Sequence, residues 1–189
     1  MSLFAKQKFG YGAFGAIYIL NVFNRVFHNW KPFSMEFRLA TKDDADVIGA
    51  LVMKLTEEIS RITNSTLFGI DASATVNKCA ELIKSENYGA IICTDNQLPI
   101  AVATFTESYA LYAGGKIGII PEFYVIPEFR SYGVGEKLHS KVRELGREKG
   151  WSCIELCTPP LPDFERTLKF YQKTGMNPVG GRKMRQYLS

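Results

Sequence analysis

The sequence has little of the chemistry that binds metals or forms disulfide frameworks. Its 189 residues include only two histidines and four cysteines. Structural zinc sites use cysteine and histidine at short paired spacings, and disulfide-rich folds are small secreted chains dense in cysteine. Neither pattern is present, since no CxxC pair occurs and the histidines lie far from the cysteines; these residues are His28, His139, Cys79, Cys93, Cys153 and Cys157. The sequence therefore predicts no metal site and favours a reducing, cytoplasmic location.

The sequence also lacks a basic domain. Residues 1–34 contain four of the 23 Lys and Arg residues and none of the 19 Asp and Glu residues. Residues 35–189 therefore carry no net formal charge. Domains that bind nucleic acid concentrate Lys and Arg on one face. The neutral body predicts that the protein has no nucleic-acid partner.

No apolar run is a convincing membrane span. Residues 13–30 are apolar nearly all round, but Asn21, Asn24 and Arg25 interrupt them, and a spanning helix needs about 20 consecutive apolar residues. Residues 1–34, the leader, hold nine of the 24 aromatic residues. We expect the leader to be helical and to bury these rings against the body or a second subunit. Two alternatives are open: a natural start at Met35, and contact of the leader with a membrane surface.

Residues 35–189 read as one domain in which strand and helix patterns alternate. Apolar residues recur at helical spacing in the first helix, and short apolar runs bounded by turn residues predict strands. The predicted order is β-α-α-β-β-β-α-β-α-β. The strands are 36–40, 89–94, 100–108, 116–125, 152–158 and 182–188, and the helices are 45–59, 73–85, 136–145 and 164–173.

A glycine loop between a strand and a helix is the most informative motif. The strand ends at Pro127, the loop holds Arg130, Gly133 and Gly135, and a helix with one apolar stripe follows at once. The first N–H groups of a helix have no partner within it and attract an anion. The glycines leave room and allow unusual φ angles, and Arg130 supplies a positive fork. The pattern predicts a site for a phosphate or pyrophosphate.

Spacing separates three kinds of glycine loop. A P-loop requires Gly-Lys-Ser/Thr, but Glu136 follows Gly135. A dinucleotide fingerprint requires a third glycine where Leu138 stands. The remaining pattern, Arg-x-x-Gly-x-Gly at 130–135 after Val-Ile-Pro at 125–127, resembles the acetyl-CoA loop of the GNAT superfamily of N-acetyltransferases. A glycine-rich turn with a solvated arginine is the simpler alternative.

The resemblance implies a fold and a cosubstrate site. The fold would be α/β (α+β), with a mixed, mostly antiparallel central sheet flanked by helices and a splayed strand pair that binds acetyl-CoA. The splay would fall between Phe123–Val125 and the strand around Ile154. Backbone groups of Tyr124 and Val125 would pair with the pantetheine arm, and the Val125 N–H would lie near the acetyl oxygen. The residues expected to hold the pyrophosphate are Arg130, Ser131, Tyr132, Gly133, Val134, Gly135 and Glu136.

The resemblance also implies the catalytic groups. Glu122, three residues before Val125, would be the general base for an amine, directly or through water. Tyr171, in a Phe-Tyr-x-x-x-Gly-Met segment, would protonate the thiolate of CoA. Phe164 departs from the pattern, because the superfamily often has an Asn seven residues before this Tyr.

The acceptor is not readable from the sequence. It would be an amine of a small molecule or a peptide, and the expected assembly is a homodimer in the cytoplasm, with no metal. The alternative function is a CoA-binding module without turnover, a sensor or assembly piece. The presence of both Glu122 and Tyr171 favours the enzyme.

Overall fold

The computed structural model describes residues 34–65, 71–180 and 183–186. The predicted leader, apart from Ser34, lies outside the described residues, so its helical, packing and membrane readings stay predictions. The predicted last strand, 182–188, is wrong for residues 183–186, which are in no strand. Its other residues lie outside the described part of the chain.

The remaining elements follow the predicted order with two changes of detail. The strand expected at 116–125 is divided in two. The helices run a few residues longer or shorter than their apolar patterns. The strands are β1 Met35–Leu39, β2 Gly89–Asp95, β3 Leu98–Ala110, β4 Gly115–Ile120, β5 Phe123–Val125 and β6 Ile154–Leu156, and the helices are α1 Ala45–Thr63, α2 Ala72–Lys84, α3 Val134–Glu148 and α4 Glu165–Lys173.

One mixed sheet organises the described residues. Its strand order is β1-β2-β3-β4-β6, and β5 pairs with β3 beside β4. Four strand pairs are antiparallel: β1–β2, β2–β3, β3–β4 and β3–β5. The β4–β6 pair is parallel. The predicted fold class, a mostly antiparallel sheet flanked by helices, is confirmed.

A β-bulge separates β4 from β5, which the sequence predicts as one strand. On β3, Thr106 faces Ile119 and Ala103 faces Phe123, so three steps on one strand oppose four on the other. The extra residue lies in the Pro121–Glu122 segment. Proline suits a bulge because it has no N–H to donate to a ladder. The bulge lets β5 stay with β3 while β4 stays with β6.

The strands part beyond the bulge. The β4–β6 pairing ends at Ile120 and Leu156, and β5 pairs with β3 alone. The chain after β6 therefore leaves an opening beside β5, as expected for a splayed strand pair. The predicted apolar stripe of α3, at Leu138, Val142 and Leu145, is buried in the main core, which fixes this helix and the loop before it.

Candidate active site

A cavity of about 740 Å³ lies at the opening between β5 and β6. All three residues of β5 line it, and Leu156 and Cys157 line it from the other side. Both faces of the sheet contribute, because Leu55 and Glu58 come from α1 while the glycine loop and α4 close the opposite face. The cavity thus joins the two faces of the sheet through the splay.

The glycine loop forms one wall of the cavity. Gly133 precedes α3 with φ of +80°, in the left-handed region that favours glycine, and Ser131 has φ of +66°. A Cβ on Gly135 would lie 3.2 Å from the Phe170 ring, a tight contact with α4 that glycine avoids. The two glycines therefore serve different purposes: one allows the turn and the other allows α4 to approach.

Only part of the predicted loop lines the cavity. Ser131, Gly133, Gly135 and Glu136 do so, with Arg130 before them. Val134 is 1% exposed and packs in the core instead. The first N–H groups of α3 have no acceptor within the helix, and Gly135 and Glu136 of this first turn line the cavity.

Arg130 forms an ion pair with a carboxylate that is far from it in the sequence. Its two terminal nitrogens donate to Glu58 on α1 at 2.8 and 2.7 Å, and its Nε donates to the Val125 carbonyl at 2.8 Å. Burial raises the pKa of Glu58, the hydrogen bonds from Arg130 lower it, and the net pKa lies below the usual value. The guanidinium therefore ties α1 to the end of β5, and its predicted contact with pyrophosphate stays a prediction.

Backbone alternation decides which groups of β5 face the opening. The N–H of Ile126 donates to the Ile100 carbonyl, and the N–H of Thr104 donates to the Glu122 carbonyl. Since hydrogen-bonded pairs alternate along an antiparallel ladder, the backbone of Tyr124 also faces β3. The N–H groups of Phe123 and Val125 point the other way, into the opening. The N–H and carbonyl of Tyr124 therefore face β3 and not the opening, although Tyr124 is a lining residue of the cavity. The predicted contact of Val125 with the cosubstrate stays a prediction.

A basic stripe on α4 faces the glycine loop. Arg166, Lys169 and Lys173 recur at helical spacing and line the cavity. Arg166 donates to the Ser131 hydroxyl at 2.8 Å, and Lys173 donates to Glu136 at 2.7 Å. Sequence reasoning missed this stripe, although the three- and four-residue spacing of its cations is visible in the sequence.

Tyr171 lies against the opening from the α4 side. It lines the cavity, is 7% exposed, and its pKa is raised by burial. Its ring contacts Phe123 with centroids 5.9 Å apart and Phe170 with centroids 5.0 Å apart. The phenol is therefore held rigidly and stays protonated at neutral pH.

Glu122 lies in the bulge beside the cavity, and its neighbours Pro121 and Phe123 line it. The carboxylate accepts hydrogen bonds from Tyr88, at 2.9 Å, and from Thr104. Glu122 itself is not among the residues that line the cavity, whereas Tyr171 is. Both adjoin Phe123, Glu122 as its neighbour in the chain and Tyr171 through the ring contact.

Among the described residues, no group of three or more His, Cys, Asp or Glu side chains is arranged to hold a metal ion. None of the helices described is both long enough and apolar enough to cross a membrane.

Comparison with known proteins connects this geometry to one family. The family model described as Acetyltransferase (GNAT) family matches residues 56–176. An uncharacterized N-acetyltransferase of Archaeoglobus fulgidus is 28% identical over 129 residues, which cover 65% of this chain and 80% of the relative.

Solved structures share the fold at low sequence identity. An aminoglycoside N-acetyltransferase crystallised with CoA has a TM-score of 0.68 and 18% identity, covering 83% of this chain and 97% of that one. A ribosomal-protein-alanine N-acetyltransferase of Brucella melitensis has a TM-score of 0.62 and 16% identity, covering 82% and 100%. A predicted acetyltransferase of Clostridium acetobutylicum with acetyl-CoA has a TM-score of 0.66 and 16% identity, covering 80% and 96%.

Proposed function

Because the chain belongs to the acetyltransferase (GNAT) family, we propose that it transfers acetyl from acetyl-CoA to a primary amine by direct attack. Acetyl-CoA, when bound, supplies the acetyl group as a thioester. The observation that carries the proposal is the cavity at the splay, where the start of α3, the open edge of β5 and Tyr171 meet. A C–N bond replaces the C–S bond in this reaction, one amine proton goes to a base, and the thiolate takes a proton from an acid.

The residues present fit the cosubstrate. N–H groups at the start of α3 suit a pyrophosphate, and Arg166 and Lys169 on the facing wall add positive charge. The outward N–H groups of Phe123 and Val125 suit the amides of a pantetheine arm, which would add to β5 as a strand does. The Val125 N–H would stabilise the acetyl oxygen as it gains negative charge.

Glu122 and Tyr171 are the proposed base and acid. Glu122 takes the amine proton, directly or through one water, because a carboxylate accepts hydrogen bonds on both oxygens. Tyr171 gives its proton to the thiolate and regains one from solvent. Burial keeps the pKa of Tyr171 high, so the phenol holds the proton that this step requires.

The acceptor is proposed only as a class of amine. Structural neighbours include aminoglycoside acetyltransferases, one of them crystallised with sisomicin, and a ribosomal-protein-alanine acetyltransferase. A panel of sisomicin, spermidine and an alanine-terminated peptide covers both small and peptide amines. Homodimer formation stays a prediction from the sequence.

The test has a binding arm and an activity arm. Calorimetric titration of acetyl-CoA into the full chain should give micromolar binding, and thiol release should rise with at least one amine of the panel. Glu122→Gln should lower kcat about 100-fold, the size expected for loss of a general base, with acetyl-CoA binding unchanged. Absence of binding would refute the cavity as the cosubstrate site, and full activity in Glu122→Gln would remove Glu122 as the base.

A further inference from the structure

Two hydroxyl groups hold the carboxylate of Glu122 by one of its oxygens. The Tyr88 hydroxyl lies 2.9 Å from Glu122 Oε2, and the Thr104 hydroxyl makes a short hydrogen bond to the same atom. An ionised carboxylate only accepts hydrogen bonds, so both hydroxyls are donors. Both hydroxyls contact Oε2, and neither contacts the other oxygen, Oε1.

The Thr104 hydroxyl has two acceptors on Glu122, the backbone carbonyl at 3.4 Å and the carboxylate at a shorter distance. The backbone N–H of Glu122 donates to the same hydroxyl oxygen at 3.0 Å, which fixes Thr104 as an acceptor on that side. Its hydrogen is then directed to Glu122 Oε2. Thr104 is 0% exposed, and burial strengthens such a bond. The reciprocal pair lies at the β-bulge.

Tyr88 remains a donor across the neutral pH range. Burial and the negative charge of Glu122 raise the pKa of its phenol, which therefore keeps its hydrogen. Cys79, on α2, is a further titratable neighbour of Glu122. Burial and the charge of Glu122 raise the pKa of its thiol to about 11, so the thiol is neutral at pH 7. The carboxylate thus faces neutral donors here.

We propose that Tyr88 and Thr104 are positioning residues that hold Oε2 of Glu122 and leave Oε1 for the amine proton. The inference rests on the proposed function, in which Glu122 is the base. Proton transfer requires the base to lie about 2.6–3.2 Å from the donor. A carboxylate without fixed partners rotates about its broad terminal torsion. Tyr88 precedes β2 and Thr104 belongs to β3, so two parts of the fold set the angle of a side chain in the bulge.

The experiment compares Tyr88→Phe, Thr104→Val and Thr104→Ser with Glu122→Gln. Tyr112→Phe is the matched control, because the Tyr112 hydroxyl also donates to a carboxylate, that of Glu155 at 2.9 Å, but Tyr112 is 81% exposed. Thiol release from acetyl-CoA is measured across pH with sisomicin, spermidine or the alanine-terminated peptide, and in buffer alone as acetyl-CoA hydrolysis. Thermal unfolding of each variant checks that it is folded.

Tyr88→Phe and Thr104→Val should each lower kcat/KM about tenfold, a fraction of what general-base catalysis contributes. KM for acetyl-CoA should not change. Thr104→Ser keeps the hydroxyl and should recover most of the activity, and Tyr112→Phe should match the wild type.

The outcomes separate this inference from the function on which it rests. Wild-type kcat/KM in Tyr88→Phe and Thr104→Val, with activity lost in Glu122→Gln, overturns the positioning role and leaves the base in place. Wild-type activity in Glu122→Gln, or no thiol release by the wild type in any of the four conditions, overturns both. If Thr104→Val fails to fold, Tyr88→Phe and Thr104→Ser decide the question.

Discussion

Tyr171 combines near-complete burial with a place on the cavity wall. A buried phenol resists ionisation, which is why its pKa is raised. It therefore offers a hydrogen-bond donor and a proton at any physiological pH. The surrounding rings of Phe123 and Phe170 limit its movement, so its position is set before any substrate arrives.

Replacing Tyr171 with phenylalanine should separate catalysis from binding. Tyr171→Phe keeps the ring contacts and removes the proton donor, so kcat should fall about 100-fold while the affinity for acetyl-CoA stays constant. Steady-state kinetics on the best amine of the panel and calorimetry on the same preparation measure the two quantities. Equal kcat values in the variant and the wild type would assign the proton to another group or to water.

Arg130 illustrates what single residues do not reveal in a sequence. Its place in the glycine motif predicts a phosphate ligand, but its guanidinium forms a paired contact with Glu58, 72 residues earlier in the chain. No local pattern encodes that partner. The glycines differ in the same way: the φ of Gly133 follows from the turn, whereas the tight space at Gly135 comes from Phe170 on another helix.

Among the elements, α3 was predictable and the β4–β5 bulge was not. The stripe of α3 repeats every three or four residues, and burial of that stripe follows wherever the helix packs. The bulge depends on the register of β3 against two strands, which the sequence between 116 and 125 does not specify. The position of Pro121 is consistent with a bulge but does not by itself fix which residue is extra.

The stripe of cations on α4 leads to a prediction about cosubstrate binding. Arg166→Gln should weaken acetyl-CoA binding about tenfold, the loss expected when one charge-assisted hydrogen bond is removed. The dependence of affinity on salt should become shallower, because fewer charges are then neutralised on binding. Calorimetry at several salt concentrations measures both effects.

A surface lysine on another helix is the control for this prediction. Lys78 on α2 pairs with Glu81 at 2.6 Å and is exposed, much as Lys169 on α4 pairs with Glu165 at 2.8 Å. Lys78→Gln should leave acetyl-CoA affinity unchanged. If Arg166→Gln and Lys78→Gln bind equally well, the stripe takes no part in binding the cosubstrate.

For the whole molecule, one tryptophan joins the sheet to α3. Trp151 follows α3, and its ring occupies the space above Gly118 on β4 and Gly146 on α3, where a Cβ would lie only 2.1 and 2.8 Å from it. The indole N–H donates to Glu107 at 2.9 Å. This packing fixes β4, and with it β6, so the opening beside β5 rests on a contact outside the active site.

Acid stability of the whole fold should depend on Asp44. Hydrogen bonds from Arg38 lower the pKa of Asp44 to about 2, against burial, which raises it, and the backbone N–H of Thr41 also lowers it. A carboxyl whose pKa is lower in the folded state stabilises the fold above its unfolded pKa. That stabilisation is lost as pH falls from about 4 to about 2.

The matching substitution is Asp44→Asn. It should lower the free energy of unfolding by about 2 kcal/mol at pH 7, from a shift of nearly two pKa units. The difference from the wild type should shrink towards pH 2. Asp43→Asn, at an exposed residue of the same turn, should change little. Denaturant unfolding at several pH values measures this, and a constant difference at all pH values would rule out the ionic origin.

The sequence by itself determined the fold class, the order of most elements and the place of the glycine loop. These follow from local physics: apolar periodicity, glycine at a left-handed turn, and a helix that begins directly after the loop. The loop was also sufficient to indicate acetyl-CoA through its resemblance to one superfamily, which the family match to residues 56–176 supports.

The tertiary structure decided what each group at the opening faces. The bulge sends the outward N–H groups of Phe123 and Val125 into the splay, the α4 cations meet the glycine loop, and Tyr88 and Thr104 converge on Glu122. Each of these depends on strand register or on residues far apart in the chain. Such contacts are set by how whole elements pack, and no window of the sequence contains both partners.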